Sequence, residues 1–269
     1  MLTARLVSTL VVNAFASLIA IIIARRLLTR SGEAETTRAL RMFALWWAAF
    51  AVDGLLNAAT WLAGGLGVAN EVVIDVLTYP ALVSIVLMSW GLTYYLLFLF
   101  TGRASLFRPL AIFYAVSFVA AFALIVSLHP IGVKMGPWAG EITYAHEPPP
   151  VAALLFALYF LGPPLIGALA YGSLLLRVKG RASRYRIGAV ALGIFVWFVT
   201  ALAVTGKPDD GAAITIKLVG VVCMLLILSA YFTPAWLQAW LDEGHPSERR
   251  LHERSLKREA LVARVRELV

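Results

Sequence analysis

Seven nearly unbroken apolar stretches, at about residues 5–24, 40–66, 72–100, 109–128, 151–176, 187–205 and 212–232, divide the chain. A hydrocarbon core about 30 Å thick is crossed by about 20 helical residues, so every stretch is close to or beyond spanning length. The stretches are apolar on all faces, which excludes the alternating strands of about half that length that build a membrane β-barrel. The pattern predicts an all-α membrane protein, a bundle of seven transmembrane helices over residues 1–240. A cytoplasmic amphipathic or coiled-coil helix is expected over 241–269. Arg25-Arg26 close the first stretch like a stop-transfer signal, so it reads as a retained helix rather than a cleaved leader.

The positive charges orient this bundle. Of 23 Lys and Arg, residues 25–41 hold five, 103–108 two, 177–186 five and 249–266 seven, which are alternate connections only. Positively flanked loops stay on the cytoplasmic side during insertion. The N-terminus is therefore expected outside, the C-terminus in the cytoplasm and the chain in the inner (plasma) membrane. Only 14% of residues are charged, against about 25% in soluble domains. The net charge of +8 lines the inner face, where anionic lipid attracts it, so the expected partner is the bilayer and not nucleic acid.

Little in the chain points to catalysis. The four histidines are His129 and His146 in an outer loop and His245 and His252 in the tail, with none at membrane depth. HExxH, GxSxG and P-loop patterns are absent, and the sole cysteine, Cys223, lies among apolar neighbours as a small buried residue. No enzyme, cofactor or metal site is expected. His129 and His146 beside Glu141 or Glu147 match no metal-ligand spacing.

Binding is the better prospect, because ionisable residues inside spans are costly unless paired, neutralised or facing a wet cavity. Asp53 lies midway along the second span, with Asn57 and Trp61 following on the same face at successive turns. Asp53 either faces a cavity or hydrogen-bonds a neighbouring helix through Asn13, Ser17 or Thr200. Asp75 and Lys217 lie at matching depth near the outer ends of spans three and seven, and an ion pair between them would reduce both burial costs. Tyr79 and Tyr159 complete a candidate ligand-binding set of Asp53, Asn57, Trp61, Asp75, Tyr79, Tyr159 and Lys217. Gly162-Pro163-Pro164 removes two backbone donors from span five and is expected to form a kink or hinge. The aromatics of span three from Trp90 to Phe100 are expected to pack and to mark the inner interface. The outer segment 129–150 is either a solvated connector or a lid over the mouth of the bundle.

A lysine in the last span with an acid in span three, Asp75-Val76-Leu77-Thr78-Tyr79-Pro80, loosely resembles the microbial rhodopsins. That resemblance implies a retinal Schiff base on Lys217, an Asp75 counterion and Trp197 in the cage. Broader resemblance lies in Leu97-Phe98-Leu99-Phe100-Thr101-Gly102-Arg103, in Arg181-Ala182-Ser183-Arg184-Tyr185-Arg186 and in Tyr231-Phe232-Thr233-Pro234-Ala235-Trp236-Leu237, followed by a basic helix. These are similar to the N-terminal seven-helix sensor region found ahead of bacterial histidine kinases and related signalling proteins. The resemblance implies an outer-half ligand pocket read out by a cytoplasmic output. In the tail, Leu251, Leu261, Val262, Val265, Leu268 and Val269 fall within about 120° of a helix. That stripe suits a homodimer or a cytoplasmic signalling partner through 247–269. The expected function is a receptor-like sensor for a small ligand of unknown identity. A small proton- or substrate-coupled transporter is the alternative, although no internal repeat relates the first and last three spans.

Overall fold

The computed structural model describes residues 3–29, 34–178, 180–204 and 212–242. Its helices are α1 (Ala4–Leu28), α2 (Ala34–Leu66), α3 (Glu71–Thr101), α4 (Phe107–Leu128), α5 (Pro150–Phe156), α6 (Gly162–Arg177), α7 (Arg181–Val204), α8 (Ala212–Tyr231) and α9 (Ala235–Asp242). Two strands, β1 (Pro130–Met135) and β2 (Gly140–Tyr144), lie between α4 and α5. Among the described residues, six helices are long and apolar enough to cross a membrane, counting α5 and α6 as one span. The bent pair α8–α9, with 76° between its arms, makes up to seven. This is a helical, multi-pass membrane architecture.

Local chemistry sets the helix ends. Thr3 and Asn70 cap α1 and α3 by accepting from the Leu6 and Val73 amides at 3.1 and 3.0 Å. Gly102 ends α3 in the left-handed conformation (φ 64°), its N–H donating to the Phe98 carbonyl at 2.7 Å, as the Thr-Gly-Arg stop implies. The tail from 243 onward, with its apolar stripe, and the outer turn 206–211 lie outside the described residues.

Consecutive helices pack as neighbours and α8 returns to α1, closing a ring, while α3 also touches α6 across it. The core is aromatic. Phe43 stacks on Tyr95 at 4.2 Å between ring centres, and the Tyr95 phenol meets those of Tyr171 and Tyr231 at 3.2 and 3.1 Å, joining α3, α6 and α8. Trp90, Tyr94 and Tyr95 do pack inward, as expected of span three. Cys223 is buried. The outward faces remain apolar, and on α4 the run Ile112, Val116 and Val119 is 59–66% exposed, a stripe that fits lipid and not water.

The span formed by α5 and α6 is broken where its prolines dictate. A π-turn, Ala157–Leu161, widens the helix just before Gly162-Pro163-Pro164. In an unbroken helix the residue-163 amide would donate to the Tyr159 carbonyl, and proline has no such donor. The Ser89 hydroxyl of α3 donates there instead, a short bond inside the bundle. Ser89→Ala should therefore cost about 1–3 kcal/mol, the range for an orphaned buried carbonyl. Pro163→Ala in the same chain should recover part of that loss by restoring the amide. Chemical unfolding in bicelles of the two single variants and the double checks this, and equal losses in Ser89→Ala and the double would refute it.

The helix bounds need correction. Helix α2 begins at Ala34, six residues before its apolar stretch, and α7 begins at Arg181 rather than 187, because helices continue beyond the hydrocarbon into the interface. Segment 129–150, left open as a connector or a lid, has a structure of its own. It is an antiparallel hairpin pairing Val133 with Ile142, Lys134 with Glu141 and Met135 with Gly140, closed by a Gly136 N–H to Ala139 carbonyl bond of 2.8 Å.

Candidate functional site

A cavity of about 510 Å³ opens between α1, α2, α3, α7 and α8, and strand β2 covers one end of it. Helix α2 supplies the longest wall. Trp46, Phe50, Asp53, Asn57 and Trp61 recur at three- and four-residue intervals and form one continuous stripe facing the cavity. The Asn57 amide donates to Asp53 twice, to its backbone carbonyl at 2.9 Å and to Oδ2 at 3.1 Å, which fixes the carboxylate against its own helix. Asp53 Oδ1 has no hydrogen-bond partner among the described residues.

Lys217 enters from α8. Its ammonium lies 4.1 Å from the centre of the Trp61 ring and donates to Asn13 Oδ1 of α1 at 3.3 Å. Cation–π contact and one amide bond thus hold a charge that would otherwise be stranded in lipid. Asp53 acts on Lys217 electrostatically across the same cavity, although the two form no direct ion pair. The site therefore holds an amine and a carboxyl group near the end under the hairpin and a mostly apolar interior.

The deeper wall consists of Trp46, Trp47, Phe50 and Trp197, with Met224 and Ile227 of α8. Trp46 lies edge-on to Trp197 at 6.0 Å. The indole nitrogens of Trp46 and Trp47 and the Thr78 hydroxyl are buried without a hydrogen-bond partner among the described residues, although all three residues line the cavity. Buried indole N–H groups ordinarily find acceptors, so these are unsatisfied donors packed behind the surface of the wall.

The hairpin is seated on this site. Ile142 and Tyr144 of β2 line the cavity. A Cβ built on Gly140 would fall 3.1 Å from Trp61 Cδ1, and one on Gly64 would meet the Met135 side chain at 2.5 Å, so glycine at both positions lets the hairpin settle onto α2. Trp61 is thus held between the hairpin above and the Lys217 ammonium beside it. Further ties run to the N-terminus, where the Thr3 hydroxyl donates to the Pro137 carbonyl at 3.1 Å and Arg5 lies 5.6 Å over Trp138. Burial, reinforced by Glu141, holds the Tyr144 phenol above its ordinary pKa, so it meets the cavity uncharged.

Of the seven residues expected to line a pocket, Asp53, Asn57, Trp61 and Lys217 come together here, while Asp75, Tyr79 and Tyr159 do not. On α3 the cavity takes Thr78, Ala81, Leu82, Ile85 and Met88; Asp75, one turn before Thr78, does not line it, and Tyr79 meets Phe122 of α4 at 5.4 Å. Tyr159 packs on Tyr114 at 6.2 Å, also on the α4 side. The expected Asp75–Lys217 pair is likewise corrected: Lys217 faces Trp61, Asn13 and Asp53 and forms no ion pair with Asp75. The same geometry removes Asp75 as a counterion to Lys217. Nor does Asp53 bond Asn13 or Ser17, since Asn13 serves Lys217 and Ser17 abuts Gly54, whose Cβ would lie 2.6 Å from its hydroxyl. The side chain of Thr200 lies outside the described residues.

Trp46, Trp47, Phe50 and Tyr144 escaped the sequence reading. The first and third carry a legible signal, since they extend the Asp53–Asn57–Trp61 stripe inward at helical spacing. Tyr144 carries none, because only the hairpin's docking brings it to the cavity. His129, another outer-loop residue, stands 4.0 Å from Glu71 with both side chains more than half exposed. Neither a protein-family model nor a curated protein sequence matches the chain.

Proposed function

We propose that the chain is a sensor or receptor-like module of the inner (plasma) membrane, with seven spans, an external N-terminus and a cytoplasmic C-terminus. A small ligand binds in the cavity under the hairpin, and the module has no catalytic activity of its own. The observation that carries this reading is the cavity itself, which brings Asp53, Asn57, Trp61 and Lys217 to one end of an apolar chamber of ligand size. The resemblance of the α3, α7 and α8 inner ends to the sensor region ahead of bacterial histidine kinases supports the same reading.

Signal would leave through the broken α5–α6 span. Phe160 of the π-turn lines the cavity, and α6 below it reaches α8 through the Tyr171–Tyr95–Tyr231 phenols. At the inner end, Arg181 lies 3.6 Å over Trp240 and Arg186 donates to Gln238 at 3.2 Å, pinning α9 to α7. A shift at Gly162-Pro163-Pro164 would be passed to α9 and on to the tail, where a second copy or a signalling partner reads it.

Gly220 supplies the test. It lines the cavity on α8, and a Cβ there meets nothing within 4 Å, so Gly220→Leu fills the chamber without displacing backbone. Protein purified from its native membrane should carry a small molecule, seen by mass spectrometry of solvent extracts, that Gly220→Leu lacks. Identical extracts from both would end the proposal. A transporter remains the rival, and it prevails if liposomes bearing the protein accumulate a substrate and Asp53→Asn abolishes the uptake. Topology is checked separately, by a reporter fused after Val269 and assayed on both membrane faces.

A further inference from the structure

A second concavity lies on the outside of the bundle, apart from the chamber under the hairpin. Helices α3 and α6 enclose an apolar groove of about 200 Å³, lined by Thr93, Leu97 and Phe100 on one side and Pro163, Ile166 and Ala170 on the other. Phe100 and Ile166 are 43% and 54% exposed, so the groove opens on the outer surface. Its wall offers no polar partner, because the Thr93 hydroxyl is already engaged with the Tyr114 phenol at 2.9 Å. The two helices run side by side here. Phe100 meets Tyr171 at 6.0 Å between ring centres, and a Cβ on Gly167 would lie 3.2 Å from Leu96 Cδ1.

Positive charge closes one end of this groove. Ile166, Ala170 and Arg177 follow one another at intervals of four and seven residues, so Arg177 ends the face of α6 that lines the groove. Arg103 follows the Gly102 stop of α3 at that same end. Both arginines are exposed, and among the described residues neither forms a salt bridge. From Pro163 to Arg177 the α6 axis runs about 21 Å at 1.5 Å per residue. One bilayer leaflet with its head groups is about 20–22 Å deep, so the face matches a single lipid reaching from the head-group region to the midplane. Net negative charge on that head group suits the unpaired arginines, whose planar forks bind phosphate well. We infer that an anionic phospholipid occupies the groove, with one acyl chain between α3 and α6, its phosphate on Arg177 and Arg103 adding attraction.

The full chain in micelles is titrated with phosphatidylglycerol or with phosphatidylcholine of identical acyl chains, and native mass spectrometry reads the affinity of the first lipid bound. Phosphatidylglycerol should bind at least about fivefold tighter. Arg177→Gln should weaken phosphatidylglycerol about fivefold and phosphatidylcholine by less than about twofold. Arg26→Gln removes the same charge from α1, a helix packed on α2 and α8, and should change neither lipid by more than about twofold. Ala170→Phe fills the groove and should abolish the tight phosphatidylglycerol binding, with Leu97→Trp on the facing wall as a second blocking variant if the first does not fold. Equal affinity of the two lipids for the wild-type protein would overturn the site. Equal losses in Arg177→Gln and Arg26→Gln would reduce the effect to general surface charge and overturn it as well. Tight binding unchanged by both blocking variants would do the same. A doubled protein mass in micelles that Ala170→Phe abolishes would give the groove to a second copy of the chain and overturn the lipid assignment.

Discussion

Lys217→Met should lower the unfolding free energy by about 1–3 kcal/mol, because it removes the ammonium's contact with the Trp61 ring, its bond to Asn13 and its through-space attraction to Asp53. Methionine keeps the apolar length of the side chain and removes only the ammonium. Asp53 is then left facing Trp61 and the tryptophan wall with only Asn57 to satisfy it. The double variant Lys217→Met/Asp53→Asn should recover much of that loss, giving a coupling of about 1–3 kcal/mol in a double-mutant cycle. Denaturant titrations of the four proteins in mixed micelles supply the numbers. Additive losses would mean that the two residues do not sense each other.

The second large effect comes from Gly91 on α3. A Cβ there would lie 2.6 Å from the Met42 carbonyl oxygen and 3.0 Å from the Trp46 nitrogen, both backbone atoms of α2. A side chain can rotate away from such a contact, but a helix backbone cannot. Gly91→Ala should therefore force α2 and α3 apart and cost about 2–3 kcal/mol, the upper part of the range for overpacking. Gly172→Ala on α6, where the same Cβ meets nothing within 4 Å, is the matched control and should unfold like the wild type. Comparable losses at both positions would point to a general intolerance of alanine rather than to this helix contact. Because Trp46 lines the cavity, Gly91→Ala should also weaken any ligand that contacts the tryptophan wall.

Much of this site is written in α2. Asp53, Asn57 and Trp61 share a face simply because successive turns of a helix align, and the structure keeps that stripe and turns it into the cavity. The cationic residue that meets it was also visible, as the one lysine within an apolar stretch. Its partner was not. Depth along the membrane can be read by counting residues from a span's end, and by depth alone Asp75 was a better match for Lys217 than Asp53 at mid-span. Which of them shares a chamber with Lys217 depends on how the helices pack, and an all-round apolar helix such as α3 carries almost no pattern that would report it. Asn13 has the same history, with a position evident in α1 and an allegiance evident only in three dimensions.

The break in α5–α6 was legible for a different reason. Proline's missing N–H is a covalent fact, so Gly162-Pro163-Pro164 announced a disrupted helix anywhere it fell. That the orphaned Tyr159 carbonyl is met by Ser89, seventy residues away, depends on which helix lies alongside. Segment 129–150 shows the opposite balance. Its prolines and glycines suggest a loop, its β-hairpin is too short to show alternation, and its role as cover follows from close packing of Met135 and Gly140 against α2.

Composition and periodicity by themselves determined that this is a helical membrane protein, where its apolar spans lie, which residues are costly in lipid, and that one span is broken. These are consequences of solvation and covalent geometry, which act on each segment alone. Helix rotation, the choice of Asp53 over Asp75 opposite Lys217, the tryptophan chamber and the hairpin above it were decided only by tertiary structure. Lipid and protein interior are similarly apolar, so hydropathy cannot tell the face of a helix that meets its neighbours from the face that meets the bilayer.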